Sequence, residues 1–485
     1  MKQAFQDAPG ENHAALPLRR NRDFLLASGS RFIATAGMGA VIISVMLHLQ
    51  RVAATGQTSI AGPWLVAAYL FCSALPLVLL APWAGRLADT RDSRTLAAGS
   101  SVLSAAAVAG MGIGLQDSEN HLLVLFAMTF LLGAAQAVAG PTWQALLPRI
   151  VGEEGTPRAL GTMQATIMIA GMVGPAAGGL LSGWGGYALV FTLASGCYVA
   201  MAAGALLIRT RRGSAADRVG KEKPALWDGL RLIRRDGLVW ALVLGALFFI
   251  MVGEATNVLE VFLARDELGA TEMQYGLVAA SFGLGMASGA ALAARIRTPA
   301  ARLRILLLSM GLTSAFLGII AMVPSMELLF VVYTAMGAAC GLLNACFGAI
   351  VILRIPEDSR GQAMAILGGL TRAVSIGAVA LGGLVGALLP LRASFLAAGA
   401  CGVLAALAVT AYVLPRYGSE GAAGPTPGPR QPAASGGQQE TVAHQIPHLG
   451  EEPAPEGRGV PVLAPAQQRL EGTDDLPDGQ VAVAR

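Results

Sequence analysis

GRLADTRDSRTL, residues 85–96, is a short charged stretch set between two long apolar runs. Residues 66–83 before it and 95–115 after it carry no Asp, Glu, Lys or Arg. An ionised side chain at the centre of a bilayer costs about 2.5–3.5 kcal/mol or more, so the runs read as membrane spans and the stretch as the turn between them. The fold follows from how often this pattern recurs along the chain.

The composition agrees. Of 485 residues, 54% are hydrophobic and 13% charged, and mean hydropathy is +0.59. A soluble domain carries about 25% charged residues. Aromatics make up only 6% while glycines number 61, which suits helices whose backbones approach closely in lipid. The net charge of +4 is segregated by loop and forms no basic patch for nucleic acid. Cys72, Cys197, Cys340, Cys346 and Cys401 all fall inside apolar runs, show no metal spacing, and read as small buried hydrophobes.

Spans are expected at 24–49, 64–84, 95–115, 122–147, 159–182 and 187–208, then at 238–263, 273–293, 303–323, 328–352, 362–388 and 391–414. Each has about 20 residues or more, enough for ~30 Å of hydrocarbon at ~1.5 Å per residue. The expected fold is therefore an all-α membrane protein of twelve transmembrane helices in two pseudo-symmetric six-helix halves. Its parts are an N-terminal segment 1–22, a first half 23–208, a linker 209–237, a second half 238–414 and a tail 415–485. Residues 1–22 lack the apolar core of a cleaved signal peptide. The tail is rich in Pro, Gly and Gln and reads as disordered. Linker residues 225–235 can form an amphipathic helix on the membrane surface or remain a solvated connection.

Lys and Arg mark one side of the membrane: Arg19, Arg20, Arg22, Arg86, Arg91, Arg94, Arg149, Arg354, Arg360 and the basic linker. Only Arg51, Arg265 and Arg392 fall on the other. By the positive-inside rule both termini are cytoplasmic, in a multi-pass protein of the cell membrane. The halves also repeat each other. Arg149-Ile150 closes the fourth span as Arg354-Ile355 closes the tenth, and Arg22-Asp23 precedes the first as Arg235-Asp236 precedes the seventh. Ala159 through Gly178-Gly179-Leu180 repeats at the spacing of Ala363 through Gly382-Gly383-Leu384. A duplicated unit is the architecture of transporters that rock two halves about a central site.

On these features the chain resembles the major facilitator superfamily. The 85–96 turn is similar to that superfamily's loop between helices 2 and 3, G-x-L-x-D-x-x-G-R-[RK]. Gly85, Leu87, Asp89 and Arg94 match; Asp92 replaces the second glycine and Ser93 the first arginine. The resemblance implies that Gly85, Asp89 and Arg94 form a latch between the halves. The alternative is a turn whose charges only set topology. Gly174-Pro175-Ala-Ala-Gly178-Gly179 resembles the helix-5 signature of the superfamily's exporters, with Ala170 where the first Gly of the full pattern stands. The expectation is that this face slides on Gly283, Gly285 and Gly289 of helix 8. Arg31-Phe32-Ile33 resembles the start of helix 1 in the branch that includes siderophore and macrolide exporters.

Three ionisable residues fall at membrane depth and are candidates for proton coupling or substrate binding: Glu254 with Asn257 on the same face, Arg31 and Arg372. A structural salt bridge, or snorkelling in the case of Arg31, is the alternative role. Glu260 is expected at the interface. Thr129 stands four residues before Gly133, where many drug–proton antiporters carry Arg, so the usual relay of helix 4 is missing. No nucleotide-binding loop, catalytic set or metal cluster is legible. The expected function is a secondary exporter of a lipophilic or amphipathic small molecule, with helices 1, 4, 7 and 10 lining the cavity. It is expected to need no cofactor and to be driven by an ion gradient, that of protons. Its partners are the small-molecule substrate and the lipid bilayer, with no nucleic acid and no nucleotide, and it works as a monomer. The rival readings are an importer of a small solute and a membrane sensor signalling through its tail.

Overall fold

The computed structural model describes residues 18, 20–81, 83–84, 87, 91–115, 120–208, 231, 234–355 and 360–417. Gly85 and Asp89, nearly all of the linker with its amphipathic segment, and the 418–485 tail lie outside them. The described residues are almost entirely helical and contain no strand.

Helix α1 is Arg22–Ala54, α2 Gly62–Leu79 and α3 Ser93–Gly114. His121–Leu207 is one run interrupted by two non-helical residues, Gly152 (φ 76°) and Gly186 (φ 70°), which divide it into α4 (121–151), α5 (153–185) and α6 (187–207). The second half comprises α7 Gly237–Phe262, α8 Glu272–Ala293, α9 Pro299–Ile320, α10 Met326–Arg354, α11 Arg360–Leu388 and α12 Leu391–Tyr417. Glycine reaches positive φ without a Cβ clash, so the chain can leave the helix abruptly at Gly186. Before that turn Gly174, Gly178 and Ser182 lie against Ala36, Ala40 and Ser44 of α1, all in ascending order. After it Tyr187 lies against Arg51, Cys197 against Gly37 and Gly204 against Ser30, in descending order. The two legs are antiparallel. Eleven stretches among the described residues are long and apolar enough to cross a membrane, where twelve spans are expected. The difference lies in Arg158–Leu207, 50 residues long, which folds back at Gly186.

Polar caps begin the helices by satisfying the first free N–H groups. Asn21 accepts from Phe24 N–H at 3.1 Å and Asp236 from Leu238 N–H at 2.9 Å. Asp92 accepts from Arg94 N–H at 3.3 Å and from the Thr95 hydroxyl at 3.2 Å, so this departure from the loop pattern starts α3. Thr271 and Gln274 make a reciprocal capping box on α8.

The halves correspond in detail at the end that bears Asn21, Asp236 and Arg354, here the basic end. Asn21 Nδ2 donates to the Ile150 carbonyl at 2.9 Å, tying the start of α1 to the end of α4. Asp236 pairs with Arg354 at 3.2 Å, tying the start of α7 to the end of α10. Asn21 and Asp236 thus share the cap position at the starts of α1 and α7.

The glycine repeat also returns as packing. Gly178 lies on Ala40 of α1, and Gly382 on Ala255 of α7, each within its own half. Gly179 faces Gly276 of α8, and Gly383 faces Trp64 and Ala67 of α2, each in the opposite half. This corrects the expected division of labour in the helix-5 signature. Gly174 and Gly178 seat α5 on α1, while Gly179 and the Pro175 carbonyl meet α8. In α8 the matching residue is Gly276, with Gly283 against Met172, whereas Gly285 and Gly289 pack on Thr334 and Ala338 of α10. An i, i+4 pair shares a face and an i+1 neighbour is turned by ~100°, which is why one motif serves two partners.

Candidate functional site

A cavity of about 580 Å³ lies within the second half. Its walls come from all six helices α7–α12, and α1 and α4 contribute no lining residue. That differs from a cavity shared by helices 1, 4, 7 and 10. Helical spacing tells which residues share a face, but not which faces converge on a common space.

On α7 the cavity is lined by Glu254, Asn257 and Glu260, which stand three residues apart and so lie along one side of the helix. Thr313, Asn344 and Thr371 add polar groups from α9, α10 and α11. Asn257 and, at longer range, Arg372 of α11 are the electrostatic neighbours of the Glu254 carboxylate. The structure therefore brings three of the four sequence candidates together. Arg372 itself is exposed and does not line the cavity. Arg31 sits apart in α1, half-buried, with Tyr198 of α6 as its electrostatic neighbour. Tyr198 accepts from Gln136 Nε2 at 3.0 Å and donates to Met38 Sδ at 3.4 Å, so Gln136 ties α4 to α6 and α1. Thr129 is buried with its hydroxyl on the Leu125 carbonyl at 2.7 Å.

Glu260, expected at the interface, belongs to the same cavity. It lines the cavity in the last turn of α7, with Tyr275 and Tyr333 as buried neighbours. Its position six residues after Glu254 was readable, but the sequence did not show that Tyr275 of α8 and Tyr333 of α10 are its neighbours.

At the far end, opposite the basic one, a polar clasp joins the halves. Glu272, the first residue of α8 and 9% exposed, pairs with Arg51 of α1 and accepts from the Tyr187 hydroxyl at 3.3 Å. The α8 N-terminus favours the carboxylate there. The Arg51 guanidinium lies 5.1 Å from the Tyr187 ring centroid, and His48 meets Tyr187 and His121 edge-on at 5.5 and 5.7 Å. Gln50 donates to Asp266 at 2.6 Å. Asp266 belongs to a π-helical turn, Leu263–Glu267, whose extra residue per turn re-aims the side chains that follow α7. Arg392 pairs with Glu267 at 3.0 Å, and Arg265 donates to the Ala270 carbonyl at 2.6 Å. The three arginines assigned by sequence to one side of the membrane do gather at this end. The partners of Arg51 and Arg392 were not foreseen, because each lies in another helical segment.

Of the predicted latch, Arg94 is half-buried in the first turn of α3, while Gly85 and Asp89 lie outside the described residues. No group of His, Cys, Asp or Glu among the described residues is arranged to hold a metal ion.

The chain matches the transmembrane secretion effector family over residues 33–434. It belongs to that family, within the major facilitator superfamily. Among the relatives of this family member is the multidrug efflux pump Tap of Mycolicibacterium fortuitum, 26% identical over 404 residues, covering 78% of this chain and 96% of that protein. Macrolide efflux protein A of Enterococcus faecalis is 24% identical over 303 residues, 61% of this chain and 93% of that one. The fold is shared with a solved bacterial homologue of the human lysosomal transporter Spinster in an inward-facing, unoccupied conformation, with a TM-score of 0.61, 15% identity, and coverage of 83% and 98%. It is shared too with a bacterial homologue of the iron transporter ferroportin in an inward-facing state, with a TM-score of 0.60, 15% identity, and coverage of 81% and 100%.

Proposed function

We propose that the protein is a secondary transporter of the cell membrane that expels a lipophilic or amphipathic small molecule. The observation that carries this reading is the second-half cavity, mostly apolar and aromatic, with a short polar stripe at membrane depth. Such a lining suits apolar cargo better than sugars or phosphates, which need many hydrogen-bond partners. Relatives named as efflux proteins support the direction. The basic end faces the cytoplasm with both termini, so the far-end clasp is the outer gate, closed in an inward-facing arrangement. The 85–96 turn, through Gly85, Asp89 and Arg94, closes the opposite face in the alternate state.

Coupling is to inward proton flow, with Glu254 as the exchanging group. Asn257 and Arg372 are its electrostatic neighbours, and its place in the cavity makes loss and gain of the proton sensitive to which side is open. The transporter works as a monomer in the bilayer without cofactor, nucleotide or nucleic acid, and catalyses no reaction. In reconstituted vesicles Glu254→Gln abolishes uphill export driven by a pH gradient and leaves downhill exchange in place. Uphill export with unchanged pH dependence would remove Glu254 from the coupling role. Net uptake by the wild type would make the protein an importer.

A further inference from the structure

We infer that the cargo is an organic cation that binds inside the second half, with its charge on Glu260 and its apolar body on the surrounding aromatic rings. The export reading supplies only the direction of movement; binding does not depend on it.

Three observations converge on Glu260. First, the two carboxylates of the cavity are differently served. Glu254 has the Asn257 amide and the charge of Arg372, whereas no basic side chain among the described residues pairs with Glu260. No Lys, Arg or His lines the cavity. The nearby Tyr275 hydroxyl is directed to Met46 Sδ at 3.3 Å. A carboxylate facing an apolar space without a counter-charge is costly, and a bound cation removes that cost. Second, Glu260 is half-buried and lines the cavity, so a ligand held there can reach its carboxylate. Third, Phe249, Phe282, Tyr333, Phe347 and Phe395 bring five aromatic rings to the wall. Aromatic faces attract cations and bury apolar groups alike. The volume of about 580 Å³ is that of a pocket for one drug-sized molecule. An anion meets two carboxylates there and no positive lining group.

Tetraphenylphosphonium and tetraphenylborate have nearly the same shape and opposite charge. Their binding to the purified full-length protein in neutral detergent is measured by equilibrium dialysis. The wild type is expected to bind the phosphonium about tenfold tighter than the borate, or better. Glu260→Gln is expected to weaken phosphonium binding by about tenfold, while Glu260→Asp stays within a few-fold of the wild type. Equal affinity for the two ions, no binding of either, or unchanged phosphonium affinity in Glu260→Gln each overturns the inference. The wild-type comparison decides even if a variant folds poorly. Dye export by wild-type vesicles is scored separately: charge-blind binding with intact export leaves the export reading standing, and charge-selective binding without export does the reverse.

Discussion

The two seams between the halves are built differently. Where α5 meets α8, glycine faces glycine: a Cβ added at Gly179 would lie 2.9 Å from the Gly276 Cα and 2.5 Å from the Glu272 carbonyl oxygen. Where α11 meets α2, the repeat-equivalent Gly383 faces side chains, with an added Cβ 3.0 Å from Trp64 Cε3 and 2.9 Å from Ala67 Cβ. The contacts within each half did not diverge in this way, since Gly178 on Ala40 and Gly382 on Ala255 both press a glycine against an alanine backbone. Duplication thus preserved the packing of each six-helix unit and let the surfaces between units differ. A backbone-on-backbone seam has nothing that can yield. The aromatic seam has a ring that is 38% exposed and free to swing outward.

The largest effect should follow Gly179→Leu. Overpacking costs about 1–3 kcal/mol when neighbours cannot move, roughly a tenfold or greater loss of transport if the closed seam is part of the cycle. Dye efflux from vesicles containing equal amounts of folded protein measures it, and a wild-type rate would mean that this seam need not close. A smaller loss, a few-fold, is expected for Gly383→Leu, because Trp64 can give way. Trp64→Ala in the same molecule should restore efflux, whereas a loss that persists would show the second seam to be as rigid as the first. The smallest effect is expected from Arg51→Ala at the far-end clasp. The Arg51 side chain is 53% exposed, and the buried Glu272 keeps the Tyr187 hydroxyl and the α8 N-terminus without it. The loss should therefore stay near the roughly 0–1 kcal/mol typical of exposed pairs, with efflux falling by no more than about fivefold and depending on salt. A greater loss would make the clasp, and not the glycine seam, the main closure on that side.

The span positions, the two halves and the basic asymmetry were all legible in the sequence, because hydropathy and charge placement are properties of the chain itself. The repeat around Gly178-Gly179 and Gly382-Gly383 was equally plain, as was Glu254 as a carboxylate out of place in an apolar run. The sequence could not show where each glycine faces. Adjacent residues on a helix point about 100° apart, and only the positions of α1 and α8 decide that Gly178 meets one and Gly179 the other. The same holds for the clasp, whose Arg51 and Glu272 come together only when the far ends of two helices from opposite halves meet. Glu260 shows the limit most clearly. Its place near the end of α7 was readable, yet its neighbours Tyr275 and Tyr333 come from α8 and α10. Depth along a helix is set by the local sequence, but enclosure depends on helices that the sequence does not place side by side.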